Sequence, residues 1–251
     1  MTRLPMRWLT LPRKPEPEAM GAAAEVEAYA SAAAQAFLDA IDNTLVEQVL
    51  SLDPPAGMLL DIGAGPGNIS LKIARRCPRL QVVGLDYSQN MVRAARQAAS
   101  EQGLADRARF FVGDANRLCL PDACFDFVLS NSVLHHLANP LAMLNEMVRV
   151  AKPDGVILLR DLRRPSRLAF PLHVRWHGRY YSGLMYQLFR NSVRAAYTGK
   201  ELAKLLQQSA LRGASIFYRG RTHLGFIRDG RRPTGNSKLK WSRLISEDYR
   251  R

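Results

Sequence analysis

The feature that most constrains the fold is the segment 58–67, which reads Met-Leu-Leu-Asp-Ile-Gly-Ala-Gly-Pro-Gly. Its first half is an apolar run of strand length that carries one acidic residue, Asp61, and its second half holds three glycines. A glycine loop between a strand and a helix lets the backbone come close to a ligand, and the helix N-terminus offers it unpaired N–H groups. The segment therefore predicts an α/β fold with a ligand site at the end of this strand.

Short apolar runs and helical stretches alternate through the middle of the chain. Alternation of this kind needs crossover connections, which produce a parallel sheet covered on both faces. The strands are predicted at Met58–Ile62, Gln81–Leu85, Phe110–Val112, Phe125–Leu129 and Val156–Leu159. The helices are predicted at Asn68–Arg76, Ser88–Gln102 and Pro140–Val150.

The flanking regions complete the predicted architecture. Alanine-rich sequence over Ala22–Leu50 has helical periodicity, so N-terminal helices precede the first strand. Residues 165–198 mix aromatic residues with arginines and break the alternation, and we interpret them as a helical lid insertion. Two runs, Ser215–Tyr218 and Thr222–Arg228, are typical of a hairpin. The predicted fold is a Rossmann-like, doubly wound α/β domain with a seven-stranded, mostly parallel sheet and a C-terminal antiparallel hairpin.

The formal net charge of +14 is unevenly distributed. Residues 1–158 carry a net charge of −2, whereas residues 159–251 carry +16. A basic region of this kind favours an anionic ligand, nucleic acid or an acidic membrane surface.

The remaining composition excludes several classes of protein. No stretch approaches the roughly 18 consecutive apolar residues that span a bilayer, and prolines interrupt the N-terminus, which does not resemble a signal peptide. The three cysteines form no C-x-x-C pair, so the sequence supports neither a disulfide framework nor a zinc knuckle. We therefore expect a cytoplasmic protein.

Acidic residues follow the predicted strands at positions suited to a nucleoside. The loop has the spacing G-x-G-x-G, and Asn68 stands where the dinucleotide fingerprint requires its third glycine. Asp86 ends the second strand about twenty residues after the loop, where such folds bind ribose hydroxyls. Asp114 follows the third strand at the same edge of the sheet, where a carboxylate suits an exocyclic adenine amine.

With these motifs, all within residues 58–161, the sequence resembles the class I S-adenosylmethionine-dependent methyltransferases, and most closely the branch of ubiquinone and menaquinone biosynthesis methyltransferases. The resemblance implies S-adenosylmethionine as cofactor and S-adenosylhomocysteine as product. It implies that Asp61 and the glycine loop hold the methionine part, and that residues 131–136 pass near the sulfonium. The predicted cofactor-binding residues are Tyr29, Asp61, Gly63, Ala64, Gly65, Gly67, Asp86, Tyr87, Met91, Asp114, Ala115 and Asn131.

Composition, together with the resemblance, divides the chain into parts. Residues 1–20 are rich in proline and charge and form a flexible N-terminal arm, disordered or packed in extended form. Residues 21–228 form the methyltransferase domain, with the lid insertion at about 165–198. Residues 229–251 form a basic C-terminal tail.

Three residues are predicted to take part in catalysis. Methyl transfer is an in-line displacement, so the protein chiefly holds the nucleophile and the methyl group in near-attack geometry, but a thiol or phenol also needs a base. His135 and His136 are the candidates, because imidazole titrates near neutral pH; alternatively each shapes the pocket. Asp161 follows the fifth strand and either orients the substrate or forms an ion pair with Arg163, and we favour the ion pair.

The lid supplies the predicted substrate-binding residues. Its aromatic side chains suit a planar or lipophilic acceptor, although they also fit simple packing of the lid onto the core. His173 and His177 have the spacing of a metal pair, but the Glu of H-E-x-x-H is missing and Arg175 would repel a cation, so we expect no metal. The predicted substrate-binding residues are His136, Arg163, Trp176, Tyr180, Tyr181 and Tyr197.

Three functions compete. The first is methylation of a small-molecule acceptor, such as a thiol, phenol or quinol, enclosed under the lid. The second is RNA methylation, with the basic C-terminal third tracking phosphates; the sequence Asn131-Ser132-Val133-Leu134 lacks the Asn-Pro-Pro-Tyr pattern of many base-amine methylases. The third is a non-catalytic binding module, which the intact cofactor positions disfavour. We favour the first, and contact with an anionic membrane surface is compatible with it.

Overall fold

The computed structural model describes residues 9–16 and 32–231. Tyr29, most of the predicted arm and residues 232–251 of the predicted tail lie outside the described residues. Among the helices within the described ranges, none has the length and apolar character needed to cross a membrane.

Seven strands and seven α-helices are seen in the described part of the chain. The strands are β1 (Gly57–Ile62), β2 (Leu80–Asp86), β3 (Ala108–Val112), β4 (Phe125–Asn131), β5 (Ala151–Leu162), β6 (Ser215–Arg219) and β7 (His223–Asp229). The helices are α1 (Ala32–Ser51), α2 (Asn68–Arg76), α3 (Gln89–Glu101), α4 (Pro140–Val150), α5 (Phe170–His177), α6 (Gly183–Ala195) and α7 (Gly199–Gln208). Short 3₁₀ turns at Leu134–His136 and Gly178–Tyr180 follow β4 and α5.

The strands form one sheet in the order β3-β2-β1-β4-β5-β7-β6. The first five are parallel, whereas β7 runs antiparallel to both β5 and β6. The strand order reverses between β1 and β4, and in open α/β sheets this reversal leaves a crevice at the carboxyl ends of the strands. The structure thus confirms the predicted Rossmann-like sheet with its C-terminal hairpin.

Both faces of the sheet are buried, as expected for parallel strands with crossover helices. On one face, α1, α2 and α3 cover β1, β2 and β4 through Leu45, Ile73, Ala95, Leu59, Val82 and Phe127. On the other face, α4 and α7 cover β4, β5 and β7 through Met143, Met147, Leu202, Val128, Ile157 and Phe226. The two cores fix the strand ends that form the site.

The N-terminus of α7 has the capping box that its Thr-Gly-Lys-Glu sequence predicts. The Thr198 Oγ1 atom accepts a hydrogen bond from the Glu201 N–H at 3.3 Å, and the Glu201 carboxylate accepts one from the Thr198 N–H at 2.8 Å. This cap fixes the point at which the chain leaves the lid segment, residues 165–198, and returns to the domain.

Strand β5 is much longer than the predicted Val156–Leu159. Pro153 and charged neighbours interrupt the apolar pattern at its start, although Ala151 pairs with Phe125 across a register shift. At its other end, Arg160 and Asp161 continue the strand and are buried. The prediction of a short strand is wrong because polar residues in a sequence indicate a loop, whereas Arg160 and Asp161 are buried inside the sheet.

Candidate active site

A cavity of about 770 Å³ lies along the carboxyl ends of the parallel strands. Its walls come from the loops after β1, β2, β3 and β4 and from helix α1, and helices α5 and α6 of the lid segment contribute further lining residues. This volume lies in the upper range of ligand pockets.

The glycine loop forms part of the cavity wall. Gly63 and Gly65 have φ angles of 76° and 54°, which glycine adopts without strain. A Cβ at Gly63 would collide with Val133, whereas one at Gly65 would meet nothing within 4 Å. Gly67 is not in the wall; it caps α2, and a Cβ there would press on Phe110. Gly67 therefore has a packing role in the structure, its contact with the cofactor stays a prediction, and open space lies beside Gly65.

The carboxylates of Asp86 and Asp114 lie in the cavity wall at the edge of the sheet. Asp86 accepts hydrogen bonds from the N–H of Gly65 at 2.8 Å and of Ser88 at 2.9 Å. Asp114 accepts one from the N–H of Asn116 at 2.8 Å. These bonds orient the carboxylates, and further lone pairs stay available to a ligand. The same wall contains the predicted residues Ala64, Tyr87, Met91 and Ala115.

Asp42, Asp61 and Asp86, which we call the acidic cluster, all line the cavity. Burial raises the pKa of Asp61 to about 7, and the charges of Asp86 and Asp42 act in the same direction. A 2.6 Å hydrogen bond from Ser70 Oγ opposes this shift. Burial also raises the pKa of Asp42 to about 6 and raises the pKa of Asp86. Buried like charges repel one another, so the acidic cluster favours a cationic ligand over an anionic one.

Asn131 and Ser132 bring the end of β4 to the cavity. The Asn131 Oδ1 atom accepts a hydrogen bond from Arg160 Nε at 2.8 Å, and Arg160 Nη1 also donates to Thr44 Oγ1 of α1 at 2.8 Å. Burial lowers the pKa of Arg160 to about 10. Ser132 has a φ of 59°, a strained value for a residue with a side chain. The buried arginine thus fixes the loop that leads into the two histidines.

His135 is paired with Asp161, not Arg163 with Asp161 as the sequence suggested. His135 Nδ1 lies 2.5 Å from Asp161 Oδ1, and the His135 N–H donates to Asp161 Oδ2 at 3.0 Å. Arg163 instead lies over the Tyr218 ring, 4.9 Å from its centroid. The favoured ion pair is wrong because β5 continues through Asp161 and brings its carboxylate against His135, whereas Arg163 lies beyond the end of the strand.

A segment of the N-terminal arm, residues 9–16, packs against the lid segment and reaches the histidines. Arg13 Nε donates to the Ala195 carbonyl at 2.6 Å, and Arg13 Nη2 donates to the His135 carbonyl at 2.8 Å. Glu16 Oε2 lies 3.9 Å from His135 Nε2 and 3.6 Å from His136 Nδ1. The potential ligand atoms of these three residues lie within 4.8 Å of one another. The arrangement can hold a proton or a cation between one carboxylate and two imidazoles.

The charges around His135 control its ionisation. Burial opposes protonation most strongly, but the charges of Asp161 and Glu16 outweigh it, and the pKa of His135 is raised. The pKa of Asp161 is lowered despite its burial, because His135 lies against it. Asp161 therefore raises the basicity of the His135 imidazole, and its hydrogen bond to Nδ1 fixes the tautomer of the neutral ring.

The lid segment contributes fewer predicted substrate contacts than expected. Tyr181 and His136 line the cavity. Trp176 and Tyr180 are exposed on the outer surface, and Tyr197 is buried in the core beneath the Arg13 guanidinium. Arg163 is stacked on Tyr218. The prediction that Trp176, Tyr180, Tyr197 and Arg163 line the pocket is therefore corrected, because the structure places all four outside it. The lid residues that line the cavity are His173, His177, Tyr181, Met185, Leu188, Phe189 and Ser192.

Three histidines lie in the lid-side wall of the cavity: His173 and His177 on α5, and His223 on β7. The rings of His173 and His177 have centroids 4.6 Å apart. Burial lowers the pKa of His173 to about 4 and of His223 to about 3, so both are neutral at pH 7. These neutral imidazoles give this side of the cavity hydrogen-bonding capacity without charge.

Several site residues escaped the sequence analysis. Asp42 lies in the predicted N-terminal helix as an acidic residue next to apolar Ile41, a weak signal. His223 sits in an apolar strand, where a buried histidine could have drawn attention. Glu16 lies between two prolines, Pro15 and Pro17, and nothing in its surroundings indicates the site.

Comparison with known proteins finds a family match in the middle of the chain. Residues 60–159 match the model of the methyltransferase domain family. The chain is 34% identical over 128 residues to the ubiquinone/menaquinone biosynthesis C-methyltransferase of Desulfotalea psychrophila, which covers 51% of this chain and 50% of that protein. These matches support a class I S-adenosylmethionine-dependent methyltransferase.

Further relatives and solved structures are also methyltransferases by name. The demethylmenaquinone methyltransferase of Thermus thermophilus is 32% identical over 126 residues, which cover 50% of this chain and 56% of that protein. The chain therefore spans about half the length of the curated relatives it matches. The fold matches that of a crystallised SAM-dependent methyltransferase from Aquifex aeolicus with a TM-score of 0.54 and 21% identity, over 72% of this chain and 87% of that one.

S-adenosylmethionine is the cofactor of class I methyltransferases, and the chemistry of the cavity fits it. The molecule carries a sulfonium and an ammonium group, and the acidic cluster favours cations. Asp86 has acceptor capacity for a ribose diol, and Gly65 borders open space. An anionic dinucleotide would meet three carboxylates instead.

Proposed function

We propose that this methyltransferase transfers the methyl group of S-adenosylmethionine to a small-molecule acceptor with an acidic O–H or S–H group, such as a phenol, quinol or thiol. One observation carries the proposal: the acidic cluster and His135, which Asp161 holds from behind, border the same cavity, so a cation site and a proton acceptor face one space. Relatives named for ubiquinone and menaquinone synthesis support a quinol as the acceptor, and since one of them is named a C-methyltransferase, a quinol deprotonated at its O–H group would be methylated at ring carbon or at oxygen.

The cofactor side of the proposal assigns the residues at the strand ends. Asp61 and Asp42 stabilise the positive groups of the methionine part, and the Gly63–Gly65 backbone gives it room. Asp86 binds the ribose hydroxyls, and Asp114 with Ala115 binds adenine. When bound, S-adenosylmethionine supplies a methyl group on a positively charged sulfur and leaves as the neutral thioether S-adenosylhomocysteine.

The acceptor side uses His135 as general base. The imidazole takes the proton of the acceptor O–H or S–H group, so the oxygen or sulfur keeps the electron pair of that bond. This pair bonds to the methyl carbon as the carbon–sulfur bond of the donor breaks. Asp161 holds the ring in one tautomer and stabilises the imidazolium that forms. Glu16 adds negative charge beside His135 and His136, and His136 orients the acceptor.

The lid segment completes the proposed site. Helices α5 and α6 place Tyr181, Met185 and Phe189 in the cavity wall, and these apolar surfaces suit a planar or lipophilic acceptor. In this proposal residues 21–228 act as one methyltransferase domain, and the lid segment determines which acceptor enters. The protein is proposed to work in the cytoplasm.

The proposal is tested in two steps. Titration calorimetry with S-adenosylmethionine should show binding that Asp86→Ala weakens about 100-fold, since this change removes a charged acceptor for two hydroxyls. The matched control is Glu101→Ala, at an exposed acid. Purified protein with labelled cofactor is then offered phenols, quinols, thiols and tRNA. Absence of cofactor binding would refute the enzyme, and transfer to tRNA alone would replace the small-molecule acceptor with RNA.

A further inference from the structure

The outer face of the lid segment is unusually apolar for a surface that faces water. Ten large hydrophobic side chains are exposed in the described part of the chain, and five of them fall between residues 168 and 184. Leu168 and Leu172 are each 69% exposed, and Trp176 is 60% exposed. A concentration of exposed apolar side chains of this kind marks an interaction site. The five residues, which we call the lid patch, are Leu168, Leu172, Trp176, Tyr180 and Leu184.

Helix α5 exposes large apolar side chains on its outer face, although it buries Val174 and His173 on its inner face. His173 is buried and His177 lines the cavity, whereas Leu172 and Trp176, four residues apart, share the outer face. A lid helix that only packed onto a hydrophobic core would turn its large apolar side chains toward that core. The outer face of α5 is therefore suited to an apolar environment.

Arginines accompany the lid patch. Residues 162–200 contain eight lysines and arginines and no acidic residue. Arg167, Arg175, Arg179 and Arg190 are exposed, and the Arg179 guanidinium lies 4.3 Å from the Trp176 ring centroid. Arginine can lay its aliphatic stem along apolar surface and keep its charged end at a polar boundary. Apolar side chains flanked by arginines are the pattern of helices that lie in a membrane interface.

We propose that the lid patch docks on the surface of an anionic phospholipid bilayer, with its leucines and Trp176 at the level of the headgroups and its arginines against the phosphates. Charge complementarity selects this occupant. A second copy of the same face would bring like charges together. RNA binds to basic and aromatic side chains, so the exposed leucines would make no favourable contact with it. Acidic headgroups above acyl chains match both components of the patch.

Docking in this way would place the cavity beside the membrane. Helix α6 presents Leu184 outward, and Tyr181, Met185 and Phe189 of the same stretch line the cavity. A lipophilic acceptor dissolved in the bilayer then has a short path to the site. This consequence for the substrate class rests on the proposed function, whereas the docking itself does not.

Vesicle flotation of the full chain tests the docking. Protein should float with vesicles of phosphatidylcholine containing about 30% phosphatidylglycerol, bind vesicles of pure phosphatidylcholine at least tenfold more weakly, and dissociate as salt rises. Leu172→Ser with Trp176→Ser should weaken binding about tenfold or more, as should Arg175→Glu with Arg179→Glu. The matched controls are Phe111→Ser, an exposed aromatic outside the lid, and Arg79→Glu, at the opposite edge of the sheet, and both should bind as the unchanged chain does.

Opposite results are equally clear. Failure of the unchanged chain to float with anionic vesicles would overturn the proposal, as would equal losses in the lid-patch and control variants. Tight binding of tRNA that the lid-patch changes reduce, without vesicle binding, would assign the surface to RNA. Calorimetry with S-adenosylmethionine needs no vesicles, so failure of docking and failure of the methyltransferase proposal are separate results.

Discussion

The two sides of the cavity are built in different ways. On the cofactor side, the glycine loop, Asp86 and Asp114 each follow a strand directly, and short backbone hydrogen bonds such as that from Gly65 to Asp86 hold them. On the acceptor side, His135 meets Asp161 from another strand and Glu16 from the N-terminal arm. The cofactor side repeats one local unit, a strand followed by a loop, whereas the acceptor side depends on contacts between distant parts of the chain. Changes on the two sides should therefore separate cofactor affinity from turnover.

The largest effect is expected from His135→Gln, which removes the proposed base. The value of kcat should fall about 1,000-fold, in the range that loss of a general base produces. The dissociation constant of S-adenosylmethionine should stay within about twofold, because the cofactor side is untouched. Stopped-assay turnover and calorimetry on the same preparation measure both. A parallel loss of cofactor affinity would show that the two sides do not separate.

Asp61→Asn breaks the cofactor side instead. We expect the affinity for S-adenosylmethionine to fall about 30-fold, because a buried negative charge that faces a cation is lost. The same change should stabilise the protein without ligand by roughly 2 kcal/mol at pH 8, since the buried carboxylate is costly there and Asn still accepts from Ser70 Oγ.

The stability effect has a definite pH dependence. The folded-state pKa of Asp61, about 7, lies above its ordinary value of 3.8. Between these pH values the folded state binds one proton that the unfolded state has lost, so the free energy of unfolding falls as pH rises from about 4 to about 7. Thermal unfolding should therefore show a gain for Asp61→Asn at pH 8 and little gain at pH 5. An equal gain at both values would mean that Asp61 titrates normally.

The affinity for the cofactor should itself depend on pH in the unchanged chain. A cation is bound by the carboxylate form of Asp61, whose pKa is about 7, so affinity is highest above that value. Below about pH 6 it should fall roughly tenfold per pH unit, as expected when binding requires loss of one proton. Calorimetry from pH 5 to pH 9 measures the slope, and Asp61→Asn should give a shallower curve, in which the remaining pH dependence comes from Asp42 and Asp86.

The same contrast explains how far the sequence could predict the site. Gly65, Asp86 and Asp114 were predictable because each belongs to a strand–loop pattern that a short window of sequence contains. The partner of Asp161 was not, because it depends on how far β5 extends and on which face Asp161 projects. Glu16 depends on the path of a proline-rich segment across the lid, which contacts such as that of Arg13 with the His135 carbonyl determine. Trp176 was misplaced because an aromatic residue in a lid fits a pocket and an outer surface equally well.

The smallest expected effect, and the one that tests the acceptor side most finely, comes from Glu16→Gln. Glu16 helps to raise the pKa of His135, so its neutralisation should lower that pKa. A base must be unprotonated to act, so the ascending limb of kcat/KM against pH should move to lower pH, while the plateau falls about threefold because a less basic imidazole takes the proton less readily. Glu101→Gln, at an exposed acid on α3, should leave the profile unchanged. If Glu16 only anchored the arm, the plateau would fall without any shift of the limb, and the negative charge next to His135 would have no part in the reaction.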